Sequence, residues 1–505
     1  MQLNLLKRAS NPLAEPLNRQ IYQQVIALIR EGALQVGDAL PSTRLFATDH
    51  HISRNVVNMA YEQLALEGFI ELRPRAGAFV IAAATQLSGQ HRGPKKVTTQ
   101  QHLHERSNPP LSGFAQRITA LEADRPIHWQ PGLTEFEIDF RAGVPPFDSS
   151  LSEGLKKAAT QTLRQFSPGH IHYGEPEGDA ELRQELQRYL YRARGINCSS
   201  EQILITHGAQ QAFHLIAQAF LNTHDKVLFE EPGYKGFSRI MANFGADVVG
   251  IPVDNDGLKT EYLPDVNNFK LAYVTPSHQF PTGSILSWNR RQQLLKWAVK
   301  RNAYIVEDDY DSEFQYDTNP IPALHAMDLE KRVIYVGTLS KIIAPSLRLG
   351  YMVIPSHLLG LFNLLKKYAD NGESYLLQHI FLNFIQRGDF ERYIRKMRKQ
   401  VAKKRAQFIA ILGQHLLLTV RYSPVKAGLH ILLECPTISS DKFKALRRDL
   451  NKKGIQIYDA NVFYTEPPRH LNLLLGYGHL NEQQIDKGVK ALAFSLNAIQ
   501  QKKFV

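Results

Sequence analysis

The chain has 505 residues, of which 43% are apolar and 21% are charged, and this composition excludes a largely disordered protein. The net charge of +12 favours an anionic partner, although residues 1–96 hold only 11 Lys and Arg against 7 Asp and Glu. Two cysteines, Cys198 and Cys435, are too few for a disulfide framework or a metal cluster, and no run of about 18 apolar residues occurs. We therefore expect a cytoplasmic protein of about three domains with no membrane span.

Residues 12–82 are predicted to form a compact helical unit that ends in a β-hairpin. Apolar residues at helical spacing predict a first helix from Leu17 to Glu31. Ser42 and Ser53 can each cap a further short helix, and two such helices joined by a tight turn form a helix-turn-helix. Residues 69–80 alternate apolar and polar positions on both sides of a turn, which predicts a hairpin after the last helix.

The amino end of the last of these helices carries side chains that a DNA-reading helix needs. Such a helix enters the major groove by its amino end, while contacts with phosphates fix its position. Arg54 can bind a guanine edge or a phosphate, and Asn55 can pair with adenine. The candidate DNA contacts are Arg44, Ser53, Arg54, Asn55, Asn58, Arg73 and Arg75. Arg and Asn at a helix start also serve as caps and surface groups, so spacing alone leaves both interpretations open.

The order of these motifs resembles the winged helix of the GntR superfamily. The resemblance rests on residues 40–44, 52–57, 60–64 and 67–69, which follow the family pattern in sequence and spacing. Val56 replaces a Thr that is frequent in the family. The resemblance implies that this unit binds double-stranded DNA and that the hairpin is its wing.

Residues 83–112 are predicted to be a flexible linker, because their Gln, His, Ser, Gly and Pro cannot bury enough apolar surface to fold. Residues 113–505 alternate apolar runs with helical stretches, which predicts an α/β domain with a mostly parallel sheet, about 145–360, and a smaller α+β domain, about 361–505. The predicted strands are 203–206, 226–229, 271–274, 304–306, 333–336, 428–434 and 471–476. Residues 387–405 are rich in Lys and Arg at helical spacing, which favours a solvated helix face over a nucleic-acid contact.

Candidate functional residues follow several of these predicted strands. Asp308 comes directly after the strand at 304–306, at the edge where ligands of parallel sheets bind. Residues 208–210 open a helix after another strand, so their N–H groups and the helix dipole favour a phosphate. Tyr234 follows a third strand and could stack on an aromatic ring.

A lysine, Lys341, follows a further strand and has Thr338, Ser340 and Arg348 nearby, which could bring hydroxyl groups and a cation to a phosphate. Pyridoxal phosphate requires a lysine for its aldehyde, an acid for its ring nitrogen, an aromatic neighbour for its ring and donors for its phosphate. The candidates together meet these four requirements. Each alone also has an ordinary interpretation as a solvated lysine, an acidic turn or a helix start.

Residues 125–495 resemble the fold-type I aminotransferases, and the order of the whole chain resembles the MocR family, which joins a GntR winged helix to that fold. The motifs that carry this resemblance are residues 275–283, 307–314, 337–341 and 347–351. The resemblance implies that Lys341 forms the Schiff base, Asp308 binds the ring nitrogen and Tyr310 donates to the ring hydroxyl. The other implied cofactor contacts are Tyr234 on the ring, Gly208, Ala209, Gln210, Thr338, Ser340 and Arg348 at the phosphate, His278 and Gln279 near the ring hydroxyl, and Tyr173 at the phosphate of the partner subunit.

Aminotransferases bind the carboxylate of their substrate with an arginine near the carboxyl terminus, but residues 471–477 contain none, and Arg469 is the candidate. We predict a transcription regulator that senses an amine, an amino acid or pyridoxal phosphate itself through an aldimine at Lys341 and thereby alters operator binding. The resemblance also implies a head-to-tail homodimer on paired half-sites. One alternative is an active aminotransferase with an attached DNA-binding module, although we expect no efficient turnover. The other is a fold that serves only as a dimerising scaffold.

Overall fold

The computed structural model describes residue 5 and residues 15–74, 76–81, 110–124, 136–316, 322–339, 341–417, 420–422 and 427–501. The chain divides into two compact units, residues 1–109 and 110–505. Arg75, Ser340 and most of the predicted linker lie outside the described residues.

The front unit is a winged helix. Its elements in chain order are α1 (Leu17–Arg30), β1 (Ala39–Leu40), α2 (Thr43–Asp49), α3 (Arg54–Leu66), β2 (Ile70–Arg73) and β3 (Gly77–Val80). The predicted first helix, helix-turn-helix and hairpin are confirmed, and the hydroxyl groups of Ser42 and Ser53 cap α2 and α3. Strand β1, which pairs with β3, is an addition to the prediction, because two residues are too short for a periodic pattern. Val25, Phe46 and Val57 are buried, so the three helices share one core.

The rear unit is an α/β domain followed by a smaller α+β part. Its helices are α4 (Gly113–Asp124), α5 (Ser149–Gln165), α6 (Ala180–Arg194), α7 (Ala209–Phe220), α8 (Lys235–Asn243), α9 (Trp288–Arg301), α10 (Leu359–Asp370), α11 (Tyr375–Gln386), α12 (Asp389–His415), α13 (Phe443–Lys452) and α14 (Glu482–Gln501). Its strands are β4 (Ile138–Asp139), β5 (Ile203–Thr206), β6 (Lys226–Glu231), β7 (Asp247–Asp254), β8 (Gly257–Leu258), β9 (Phe269–Val274), β10 (Tyr304–Asp309), β11 (Val333–Thr338), β12 (Gly350–Val353), β13 (His430–Ser439), β14 (Ile455–Gln456), β15 (Tyr458–Asp459) and β16 (His470–Gly476).

Strands β5 to β12 form one sheet in the order β5-β12-β11-β10-β9-β6-β7-β8. The strands from β11 to β7 are parallel, whereas β12 is antiparallel to both neighbours and β8 is antiparallel to β7. The mostly parallel sheet is thus confirmed. Strands β7, β8 and β12 are additions: only Ile251 of β7 is buried, β8 has two residues, and β12 has four. Because β5 runs in the same direction as β11, the segments that follow β5, β6, β9, β10 and β11 meet at one edge of the sheet.

The smaller part contains an antiparallel sheet of β13, β16 and β15, and its two predicted strands are confirmed. Strand β14 pairs in parallel with β4, so that Ile455 lies opposite Ile138. The beginning of the rear unit is therefore joined to its smaller part.

The basic run lies on the long helix α12. Met397 and Val401 are buried on its apolar face, while Lys396 forms an ion pair with Asp148 and Lys399 is exposed. This arrangement agrees with the predicted solvated helix face. Among the residues that the structure describes, no helix is both long enough and apolar enough to cross a membrane.

Candidate cofactor site and DNA-contact surface

Asp308 is a buried acid at the carboxyl end of β10. Its Oδ2 accepts a hydrogen bond from the Tyr273 hydroxyl at 2.6 Å, whereas its Oδ1 has no hydrogen-bond partner among the described residues. Burial raises the pKa of the Asp308 carboxyl to about 7, against the opposite effect of the Tyr273 hydrogen bond. A buried carboxylate oxygen without a donor is costly. Asp308 Oδ1 therefore fits a cationic N–H group such as the protonated ring nitrogen of a pyridine.

Lys341 comes three residues after β11, on the same edge of the sheet. Its side chain is half-buried. Loss of contact with water lowers the pKa of its amine, and the nearby carboxylates of Asp311 and Asp308 oppose this effect. Gly143 has a φ of +72°, and a Cβ atom built on it would lie 2.6 Å from the Lys341 Nζ. A larger residue at this position would have to displace the amine and would also have a strained backbone. A lysine with a lowered pKa is a suitable nucleophile for an aldehyde.

An anion cradle lies where α7 begins. Gly208, with a φ of +73°, precedes the helix, and a Cβ atom on it would lie 3.4 Å from the guanidinium of Arg348. Thr338 ends β11 opposite Gly350, and Gly350 packs against Gly208. Ala209 and Gln210 form the first turn of α7. The N–H groups of a helix start together with a cation favour a phosphate, so the structure brings these predicted residues into one suitable place.

Aromatic rings surround the space between Asp308 and the cradle. Gln210 Nε2 donates a hydrogen bond to the Tyr234 hydroxyl at 2.9 Å, which ties Tyr234 to the cradle. The ring of Phe280 meets Tyr234 edge-on at 5.9 Å and Tyr310 edge-on at 6.0 Å. Phe280 was not among the sequence candidates, and its place directly before Pro281 in the motif 275–283 is the signal that could have identified it.

Tyr310 is held by a buried histidine and a further acid. The Tyr310 hydroxyl lies 2.9 Å from His278 Nδ1, which also lies 2.9 Å from Asp311 Oδ2. Burial raises the pKa of Asp311, and the facing His278 opposes that effect. Sequence reasoning missed Asp311, although it directly follows Tyr310 in the acidic motif. His278 therefore lies beside Tyr310, and the contact of both with a ring hydroxyl stays a prediction.

Gln279 differs from its expected place at the ring. Its Nε2 donates to the carbonyls of Pro232 and Phe280 at 2.8 and 2.7 Å, and its Oε1 accepts from the Thr282 hydroxyl at 2.7 Å. These bonds hold its own loop. Tyr173 is 87% exposed, so its own chain does not bring it into the cradle.

Arg469 is exposed and lies outside this site. It precedes β16, and its carbonyl accepts a hydrogen bond from the backbone N–H of Ser440 at 2.8 Å. The opposite end of the strand, Gly476, packs against the backbone of Arg141, two residues before Gly143. A seven-residue strand spans roughly 20 Å, so Arg469 and the contact with Arg141 lie at opposite ends of β16. The role of Arg469 as a carboxylate ligand stays a prediction.

An apolar cluster occupies the stretch where the sequence lacks the arginine. Leu474 is buried with Leu432 and Ala460. Ala142, Phe280 and Phe463 pack against this cluster, and the first two adjoin Gly143 and Gln279 in the sequence. The neighbourhood of Gly143 and Phe280 therefore includes an apolar wall.

The front unit exposes most of its predicted DNA contacts on one side of α2 and α3. Arg44, Arg54 and Asn55 are exposed, and Arg54 Nε donates to the Thr43 hydroxyl at 3.2 Å, which places it beside the start of α2. The remaining described candidates already have contacts within the protein or are less exposed. Ser53 caps α3, and Asn58 is half-buried. Arg73 forms an ion pair with Glu71 at 2.8 Å and lies over the Phe79 ring. The exposed donors form a surface that suits DNA.

Two family comparisons agree with this geometry. Residues 17–80 match the gntR family of bacterial regulatory proteins, and residues 137–492 match aminotransferase class I and II. The fold and the site thus define a class: a DNA-binding helix-turn-helix region followed by an aminotransferase-like domain whose cofactor is pyridoxal phosphate.

Individual proteins of similar sequence narrow this class. The chain is 34% identical to the uncharacterised HTH-type transcriptional regulator YdeL of Bacillus subtilis, over 94% of this chain and 96% of that protein. It is 31% identical to the probable rhizopine catabolism regulatory protein MocR of Rhizobium meliloti, over 96% of this chain and 94% of that protein. Its fold resembles the kynurenine aminotransferase of Pyrococcus horikoshii in complex with PMP, with a TM-score of 0.66 and 26% identity over 77% of this chain and 95% of that chain. The chain belongs to the MocR family of regulators, which confirms the resemblance seen in the sequence.

Proposed function

We propose that this chain is a transcription regulator whose front unit binds an operator and whose pyridoxal phosphate, held by Lys341, senses an effector that carries an amine. One observation carries the proposal. The buried, unpartnered Oδ1 of Asp308 and the low-pKa amine of Lys341 lie at the same edge of the sheet. Membership of a family of HTH-type regulators supports the DNA-binding half.

Several groups of the chain would hold the cofactor. Asp308 Oδ1 would accept a hydrogen bond from the ring nitrogen and keep it protonated. Arg348 and the N–H groups at the start of α7 would bind the phosphate, while Tyr310, oriented by His278, would donate to the ring hydroxyl. When bound, pyridoxal phosphate supplies an aldehyde that reacts with primary amines and a ring that withdraws electrons.

Lys341 would act as the switch, because its amine competes with the amine of the effector. The lowered pKa favours its neutral, nucleophilic form. Once displaced, the same amine can hold a proton, because Asp311 and Asp308 both favour the charged form. A change of charge at the Lys341 Nζ would shift the neighbouring Gly143. Gly143 lies two residues after Arg141, whose backbone packs against Gly476, so the shift would reach the smaller part. The effector would thereby shift the population of two arrangements of the rear unit.

We also infer a homodimer, in which Tyr173 reaches the phosphate held by the second copy. Tyr173 and Ile171 are 87% and 72% exposed on the same loop, which supports a contact with another chain. Two front units in such a dimer would read paired half-sites, and the spacing between them would decide the fit to an operator.

An active aminotransferase is the second candidate function, because it would use the same Lys341, Asp308 and Tyr310. The apolar cluster around Leu474 and the exposed position of Arg469 argue against efficient turnover of ordinary amino acids. Steady production of keto acid from an amine donor by the reconstituted protein would favour the enzyme over the sensor.

The test uses the full chain, reconstituted with pyridoxal phosphate, and an operator selected from random DNA. Primary amines such as γ-aminobutyrate, taurine and D-alanine are added while the visible absorbance of the cofactor and the affinity for the operator are both measured. We expect at least one amine to change both quantities, and Lys341→Ala to abolish both changes. Lys444→Ala, an exposed lysine on α13, serves as the control. An absorbance change without any change in operator affinity would refute sensing.

A further inference from the structure

A cavity of about 280 Å³ lies in the rear unit behind the acidic segment of the cofactor site. It is bounded by the end of α6, by residues 312–316 and by the middle of α12. The side chains that matter for its chemistry are Tyr189, Arg194, Glu313, Gln315, Arg398 and Lys399. Asp308, Tyr310 and Lys341 do not line it, so it is distinct from the cofactor site.

The acidic groups on one wall of the cavity already have partners within the protein. Arg194 is buried with its Nε 2.7 Å from Asp309 Oδ2, so these two charges offset each other. Glu313 Oε1 accepts a hydrogen bond from the Tyr189 hydroxyl at 2.7 Å. Burial raises the pKa of the Glu313 carboxyl to about 7, so much of its negative charge is suppressed near neutral pH.

The opposite wall presents cations that no carboxylate balances. Arg398 Nε donates to the backbone carbonyl of Glu313, and its guanidinium has no ion pair among the described residues. Lys399 is exposed at the mouth of the cavity and, within the same described part of the chain, has neither an ion pair nor a hydrogen bond. The other lysines of this helix differ, since Lys396 pairs with Asp148, Lys403 pairs with Glu482, and Lys404 donates to the Gly478 carbonyl at 2.7 Å. The cavity therefore has an uncompensated positive charge at its entrance.

We infer that this cavity is a second ligand site, which binds a small anion with a phosphate or carboxylate group between Arg398 and Lys399. A guanidinium and an ammonium on one turn of a helix suit an oxyanion, because both can donate charge-assisted hydrogen bonds. The volume is slightly below the range of pockets for drug-sized ligands, so the ligand is a small metabolite. The Gln315 amide, which already donates to the Ser277 carbonyl at 3.1 Å, lines the facing wall and offers a polar neighbour.

The cavity shares its wall with the cofactor site, which makes the second site a regulatory one. Ser312 and Glu313 directly follow Asp311, and Arg194 Nη2 donates to the hydroxyl of Ser277, the neighbour of His278, at 2.5 Å. An anion that draws Arg398 away from the Glu313 carbonyl would therefore act on the segment that holds Tyr310. This coupling rests on the proposed function, whereas anion binding does not. Two ligands coupled in this way must change each other's affinity by the same factor.

The binding test uses the full chain saturated with pyridoxal phosphate, so that the phosphate cradle beside Arg348 is filled. Inorganic phosphate and succinate are titrated separately by calorimetry. We expect saturable binding of one of them and a loss of about tenfold in affinity in Lys399→Ala, the effect of one charge-assisted contact. Lys399 has no described partner to disturb, so this variant is expected to fold. Arg398→Ala is the second variant, with a larger expected loss.

Arg395→Ala is the matched control, because Arg395 is an exposed cation on the same helix that does not line this cavity. Its affinity for the anion should equal that of the unchanged chain. Saturable binding of neither anion, or equal losses in Lys399→Ala and Arg395→Ala, would overturn the site. If the anion binds but does not change the affinity for amines, only the coupling is overturned. If neither the unchanged chain nor any of the variants binds amines, the result counts against the proposed function instead.

Discussion

The Tyr273 hydroxyl donates a hydrogen bond of 2.6 Å to Asp308 Oδ2, and within the described part of the chain Asp308 Oδ1 has no hydrogen-bond partner. On the other side of β10, the Tyr335 hydroxyl donates a bond of the same length to Asp309 Oδ2, which also lies 2.7 Å from Arg194 Nε. Asp309 Oδ1 likewise accepts no hydrogen bond from the described residues. The two neighbouring acids therefore differ in charge pairing: Asp309 is paired with a cation of the protein, whereas Asp308 has no ion pair among the described residues.

Tyr273→Phe should weaken the binding of pyridoxal phosphate by about tenfold, because a buried carboxylate that loses its donor is a poorer and more readily protonated acceptor. The dissociation constant is measured by titrating the cofactor-free protein and following the visible absorbance. Tyr335→Phe is the control, since it removes an equal hydrogen bond from Asp309. Equal losses in both variants would show that the effect is general destabilisation.

Gly143→Ala should reduce the attachment of the cofactor to Lys341, because the added Cβ would displace Nζ, 2.6 Å away, and the backbone has a φ of +72°. The measurement is the fraction of protein that retains the cofactor after borohydride reduction and denaturation. Gly360→Ala is the control, as a Cβ there meets nothing within 4 Å. Retention of the cofactor by Gly143→Ala at the level of the unchanged protein would contradict the geometry.

Ionisation of Asp308 should make the cofactor-free protein less stable as the pH rises from about 4 to about 7. Burial raises the pKa of Asp308 to about 7, so between its unfolded and folded pKa values the native state binds more protons than the unfolded state. The free energy of unfolding must then fall as these protons leave. Asp308→Asn should reduce that slope by up to about 1.4 kcal/mol per pH unit, the effect of one proton. Urea unfolding at a series of pH values measures it, and an unchanged slope would mean that Asp308 ionises normally.

Arg54→Ala should weaken binding to the selected operator by about 1 to 3 kcal/mol and leave the cofactor absorbance unchanged. The exposed guanidinium lies at the start of α3, beside Thr43. Arg19→Ala removes an exposed charge of the same unit from α1 and is the control. If the two variants weaken binding equally, only the net charge matters and α3 does not read the operator.

The sequence could single out Asp308 and Lys341, because each follows a strong apolar strand within a short motif. Tyr273 could not be paired with Asp308 in this way, since 35 residues separate them and only the order of strands in the sheet brings them together. The sequence also could not show that Arg469 and Gly476 stand at opposite ends of β16. The helices of the winged helix were easier to predict, because the caps at Ser42 and Ser53 are local sequence signals. Strand β1 was missed because two residues are too few to show a periodic pattern.

The pairing of Ile138 with Ile455 has a mechanical consequence. Gly143, five residues beyond Ile138, lies next to the side chain of Lys341. A displacement of the smaller part would move β14 and, through its pairing, β4. The short main-chain segment that borders the Lys341 amine would then move as well, so the position of the smaller part would be felt directly at that amine.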